Sequence, residues 1–124
     1  MKRTIMLVTI LIHLFFSSNL FAFDSWTKEQ AFTEVGYLAL HTIDWGQTLH
    51  ISDNPNEFRE TNFLLGEHPS RGNVTEYFIA TGIGHILITH ILPTEWRKYW
   101  QWSTIALEIG CTANNYKLGI SATF

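Results

Sequence analysis

Three long stretches of this sequence contain no lysine or arginine: residues 29–58, 72–96 and 99–116. Within each stretch the polar residues recur at helical spacing, and most of the remaining positions are apolar. When residues are placed at 100° steps, the polar side chains of each stretch fall in one narrow arc, which we call its polar seam. The pattern predicts an all-α chain whose helices are apolar around most of their circumference.

Start and stop signals divide this region into separate helices. Thr27 with Gln30 forms a capping box, and Asn73 and Thr94 are the expected N-caps of two further helices. The helices are predicted at about residues 28–51, 74–92 and 95–115. Because successive helices are joined by turn-forming segments, we expect a three-helix antiparallel hairpin bundle, which forms a single domain over residues 23–124.

Residues 1–22 have the composition of a targeting segment. Lys2 and Arg3 precede the apolar run "TIMLVTILIHLFF", and Ala22 offers a small residue for cleavage. We expect a signal peptide or an uncleaved anchor, and hence a place in the inner membrane or the periplasm. Removing Lys2 and Arg3 from the eight basic residues leaves six against eleven acidic residues, which argues against binding of nucleic acid.

The residue types in the polar seams help to decide whether the helices are surrounded by water or by lipid. A solvated helix face normally uses lysine and glutamate freely, whereas these seams use histidine, threonine, amides and single carboxylates. Tryptophans also surround Arg97 and Lys98 in "WRKYWQW", as in an anchor at a membrane surface. The mean hydropathy of only +0.04 argues the other way. A membrane-embedded or membrane-associated bundle in contact with lipid is the leading prediction, and a soluble periplasmic binding module is the alternative.

A resemblance points in the same direction. "DWGQT", "FRETNFLLGEHPS" and the distal "TANN" resemble segments of a group of small bacterial and phage membrane proteins of unknown function. Asp44, Thr48, Glu60 and Asn62 match the pattern of that group in order, and Asn114 or Asn115 matches its distal asparagine. Phe63 stands where the group usually has proline. The resemblance implies a compact three-helix membrane unit and brings no known activity.

The seam residues are the candidate functional residues. They are Glu34, His41, Asp44 and Thr48 on the first helix, His85 on the second, and Glu108 and Asn115 on the third. Motifs for a nucleophile elbow, a phosphate loop or a zinc protease do not occur, so we expect no catalysis and a role as an accessory or interaction protein. The alternative is a metal- or proton-handling site built from His41, Asp44, His85 and Glu108, with the metal ion as the only cofactor considered.

Overall fold

The structure, a computed structural model, describes residues 23–124, and the predicted signal or anchor segment lies outside them. Within this range the chain is all-helical, with three helices and no strand. The helices are α1 (Lys28–Asp53), α2 (Arg71–Ile91) and α3 (Thr94–Lys117). The all-α prediction is confirmed, and the helix boundaries differ from the expected ones by up to three residues.

The helix ends show which start signals were interpreted correctly. The Thr27 hydroxyl accepts from the Gln30 backbone N–H, and the Gln30 side chain accepts in return, as the capping box predicts. Helix α2 begins earlier than expected, because the Ser70 side chain accepts from the Asn73 N–H and caps the helix three residues upstream. The hydroxyl and the backbone N–H of Thr94 both donate to Asp24, so a carboxylate from outside α3 satisfies its first turn.

Consecutive helices run antiparallel, and α1 packs against both of the others. His41 in the middle of α1 contacts Phe78 in the first half of α2, while Glu34 contacts His85 further along α2. Glu34 and His41 also contact Gln101 and Glu108 of α3, two turns apart and in the same order, so α1 and α3 run parallel. Helix α1 therefore carries the contacts that hold the bundle together.

The interior of the bundle is unusually polar. A small apolar cluster of Leu49, Val74 and Phe78 lies at one end, near the loop between α1 and α2. Among residues 23–124, nine polar or charged residues are buried against seven large apolar ones. The outer faces instead carry large apolar side chains, including Phe32, Val35, Ile79, Ile83, Leu87, Trp102 and Leu107. The seams therefore face inward, and the apolar faces lie outside.

No helix in the described part of the chain combines the length and the apolar character needed to cross a membrane. The expectation of transmembrane helices is corrected accordingly. Helices α1 and α3 are long enough to span a bilayer, at 26 and 24 residues. Hydropathy decides against it, because the polar seam residues lower the average of each helix.

Candidate functional site

Two buried histidine–carboxylate pairs occupy the centre of the bundle. The His85 Nδ1–H donates to Glu34 Oε1 at 2.7 Å, and the His41 Nδ1–H donates to Glu108 Oε1 at the same distance. Each pair joins α1 to one of the other helices, Glu34 to α2 and His41 to α3. The seam residues that the sequence predicts on three separate helices thus meet as specific partners.

The surroundings of His41 favour its charged form. Its Nδ1 faces a carboxylate and its Nε2 lies 3.0 Å from the Phe78 carbonyl oxygen, so both ring nitrogens face acceptors and both need a proton. Burial lowers the pKa of His41, but the hydrogen bonds to Glu108 and to the Phe78 carbonyl outweigh burial, and the pKa is raised overall. The His41–Glu108 contact is therefore a buried ion pair.

Glu34 is the most fully satisfied carboxylate of the interior. In addition to His85, it accepts from the Thr89 hydroxyl at 3.2 Å and from the Gln101 side-chain amide at 2.9 Å. Burial raises the pKa of Glu34, but these hydrogen bonds and the charge of His85 lower it by more, so the pKa lies below its ordinary value. Glu34 is held as a carboxylate by donors from both α2 and α3.

Tyr37 separates the two pairs. Its ring stacks on His85 with centroids 3.5 Å apart and on His41 with centroids 5.3 Å apart. Burial and the charges of Glu108 and Glu34 raise the pKa of Tyr37, so its phenol stays neutral. The three aromatic rings form one continuous stack along the inner face of α1.

The four residues considered as metal ligands do not converge on one point. His85 is engaged by Glu34, His41 by Glu108, and Asp44 lies in a separate environment beside Asn115. Across residues 23–124, no group of three or more His, Cys, Asp or Glu side chains is placed to hold a metal ion. His41 and Glu108 are instead paired with each other, His85 is paired with Glu34, and Asp44 lines a pocket.

That pocket, which we call the Asp44 pocket, has a volume of about 280 Å³ and opens between α1, α3 and the loop that follows α1. It brings together the residues on which the family resemblance depends, although they are far apart in sequence. Its lining consists of Asp44, Thr48, Glu60, Thr61, Asn62, Leu65, Phe78, Cys111, Asn114 and Asn115. No basic residue is among them.

Local hydrogen bonds shape the loop side of the pocket. The Glu60 N–H donates to the Glu67 carbonyl, and the Asn62 N–H donates to the Glu60 side chain at 2.8 Å. The Asn62 side chain in turn accepts from the Leu64 N–H, and Gly66 with φ of 77° completes the turn. Phe63, which replaces the proline of the resembling group, points outward and is 88% exposed. The turn thus forms without that proline.

Asp44 is the least compensated acidic group of the pocket. Its Oδ1 accepts from the Asn115 side-chain amide at 3.2 Å, and no residue in 23–124 donates to its Oδ2. Burial, followed by the charges of Glu108 and Glu60, raises the pKa of Asp44 to about 7, although the charge of His41 opposes the rise. The folded chain therefore holds this proton more tightly than the unfolded chain does.

We expect the Asp44→Asn variant to be more stable than the parent chain at alkaline pH. Because the pKa of Asp44 is higher in the folded state than its ordinary 3.8, ionisation costs stability as the pH rises from 3.8 to about 7. Asparagine keeps the acceptor for Asn115 and removes that cost. The shift corresponds in full to about 4 kcal/mol, and solvent at the partly exposed carboxyl reduces it, so the free energy of unfolding, measured with denaturant, should rise by about 2 kcal/mol at pH 8 and be nearly unchanged at pH 3.

The matched control is Glu57→Gln, which removes an exposed carboxylate of the following loop. It should leave the free energy of unfolding the same at both pH values. An equal effect of Asp44→Asn at pH 3 and pH 8, or a loss of stability at pH 8, would contradict a raised pKa of Asp44 in the folded chain.

One important residue of the interior is misjudged from the sequence. Arg97, predicted to be part of a surface anchor with Lys98, is completely buried. Its guanidinium donates to four backbone carbonyls and to the Gln30 side chain, and it stacks over Trp26. The signal that could have revealed it is its spacing of four residues from Gln101, which places both on the seam side of α3.

The comparisons with known proteins add no relative to this picture. Neither the protein-family models, nor the curated proteins, nor the solved structures contain a match to this chain.

Proposed function

We propose that this chain is a small membrane-associated accessory protein that acts by binding and not by catalysis. The observation that carries the proposal is the inverted distribution of side chains. Buried histidine–carboxylate pairs and amides fill the interior, while the outer faces present large apolar side chains such as Ile83, Leu87 and Leu107. A lipid environment favours this distribution, because polar groups are then satisfied between helices and apolar groups face the acyl chains.

The beginning of α3 supports contact with a lipid surface. Trp96, Tyr99 and Trp102 are each about 60% exposed, and Lys98 lies among them with its ammonium 5.0 Å from the Tyr99 ring. Exposed tryptophan and tyrosine beside a basic residue are typical of the boundary between acyl chains and headgroups. The anchor proposed from the sequence is thus retained with Lys98 as its basic member, since Arg97 is buried.

The test places a polarity-sensitive fluorophore on single cysteines of the full chain, in a Cys111→Ser background. Ile83→Cys lies in the middle of the exposed face of α2, and Asn73→Cys is the matched control at the polar start of the same helix. The labelled protein is reconstituted with vesicles of phosphatidylcholine that carry bromine on the acyl chains. Because bromine quenches only fluorophores close to it, the readout is local and independent of residues 1–22.

Strong quenching at position 83 with little quenching at position 73 would support the proposal. Equal quenching at both positions, or none at position 83, would overturn it. Absence of quenching at position 83 would favour the soluble periplasmic alternative, in which the apolar faces contact something other than lipid.

A further inference from the structure

The Asp44 pocket has binding capacity that its own residues do not use. Thr48 is only 2% exposed and lines the pocket, yet no residue in 23–124 forms a hydrogen bond with its hydroxyl. Several other threonines of the three helices, such as Thr89 and Thr104, donate to a carbonyl of the preceding turn. The Thr48 hydroxyl makes no such hydrogen bond within residues 23–124 and is available on the pocket side.

Two carboxylate oxygens of the pocket are further free acceptors. Asp44 has one carboxylate oxygen engaged by Asn115, and Glu60 has one engaged by the Asn62 N–H. The second oxygen of each has no donor within the described chain. With two carboxylates facing one cavity and no basic side chain in its lining, the pocket is complementary to a group that donates hydrogen bonds and carries positive charge.

The other walls indicate what accompanies that charge. Phe78, which is 4% exposed, and Leu65 contribute apolar side chains to the lining. Apolar side chains do not coordinate a metal ion. Divalent cations also prefer more oxygen ligands than the two free carboxylate oxygens of Asp44 and Glu60. A small organic cation, with an ammonium head and a short apolar body, suits both parts of the lining.

We propose that the Asp44 pocket binds a small primary ammonium compound, with Asp44, Glu60 and Thr48 accepting from the ammonium group and Leu65 and Phe78 covering the alkyl part. The site is independent of membrane association, since a different set of residues carries it. The proposed site is formed by side chains from α1, from α3 and from the loop that follows α1, which together bind one ligand.

The experiment measures binding of n-butylammonium chloride to the purified full chain at pH 8, at which Asp44 is mostly ionised, by calorimetry and by the shift of its thermal unfolding temperature. n-Butanol, which has the same alkyl part without the charge, and magnesium and calcium chloride at matched ionic strength are the comparison probes. We expect saturable binding and a raised unfolding temperature with the ammonium compound alone.

Variants locate the site. Asp44→Asn should weaken binding about tenfold, because it removes a charged acceptor, and Thr48→Val about threefold, because it removes a neutral one. Glu60→Gln provides a second test of the charge should Asp44→Asn alter folding. Glu57→Gln, the matched control outside the pocket, should bind as the parent chain does.

Each alternative outcome is decisive against the proposal. Equal shifts with butanol and butylammonium would mean that only the apolar wall binds. Saturable binding of magnesium or calcium without binding of the ammonium compound would make the pocket a metal site. Binding that survives both Asp44→Asn and Glu60→Gln would place it elsewhere, and no binding at all would leave the pocket without this function.

Discussion

Replacing Arg97 by methionine should lower the free energy of unfolding by about 4 kcal/mol, the largest effect of any single substitution considered for this chain. The guanidinium is completely buried and donates to the carbonyls of Asp24, Ser25, His90 and Leu92 as well as to Gln30. Methionine fills a similar volume but leaves those acceptors without donors. Because small domains are stable by only about 5–15 kcal/mol, a large part of the total would be lost.

The comparison with Arg97→Lys shows whether charge or geometry matters. Lysine keeps the charge, but its single ammonium cannot reach acceptors on both sides of the guanidinium, so we expect it to recover less than half of the loss. Lys98→Met, one residue further along and exposed, is the matched control and should change the free energy of unfolding very little. If the lysine variant were as stable as the parent chain, the several N–H donors of the guanidinium would not be what stabilises the fold.

Replacing Glu34 by glutamine should cost about 3 kcal/mol of the free energy of unfolding at pH 7. The two side chains have nearly the same shape, so packing is retained and the loss is electrostatic. His85, Thr89 and Gln101 all donate to the carboxylate, whereas glutamine offers one accepting oxygen and turns an amide donor toward one of these donors.

The pH dependence identifies the carboxylate as the cause. Because the pKa of Glu34 is lowered in the folded state, its contribution is present above the ordinary value of 4.5 and is lost as the pH falls through the folded value. The difference between Glu34→Gln and the parent chain should therefore shrink when the pH is lowered from 7 to 3. Glu29→Gln, on the exposed side of the same helix, serves as control and should show no such difference. A constant difference across this range would instead indicate a packing effect.

The seams and the start of α1 could be predicted from the sequence for physical reasons. Glu34, His41 and Thr48 recur every seven residues, and helical geometry alone places such positions on one face. The Thr27 capping box is equally local, since both of its hydrogen bonds lie within four residues. All-α architecture follows from these local patterns, and the structure confirms it.

The partners of the seam residues could not be predicted, because they depend on how separate helices meet. Nothing near His41 in the sequence selects Glu108 in preference to any other acid. The burial of Arg97 is of the same kind, since its acceptors come from the ends of two other segments. Periodicity shows which face of a helix is polar, but it does not show whether that face meets water, lipid or another polar face.

The polar contacts between the parallel helices α1 and α3 specify the register in which the two helices pack. Gln101, Glu108 and Asn115 are spaced by seven residues, and they meet Glu34, His41 and then the Asp44–Gln47 turn at matching heights. A seven-residue repeat between parallel helices is the spacing of a left-handed coiled coil, in which equivalent apolar layers permit sliding. Here each layer has different chemistry, so a slip by one repeat would set Gln101 against His41 and Glu108 against the Gln47 and Thr48 level. The His41–Glu108 ion pair would be lost in that register. The order of the layers therefore favours the native alignment of α1 and α3 over this shifted one.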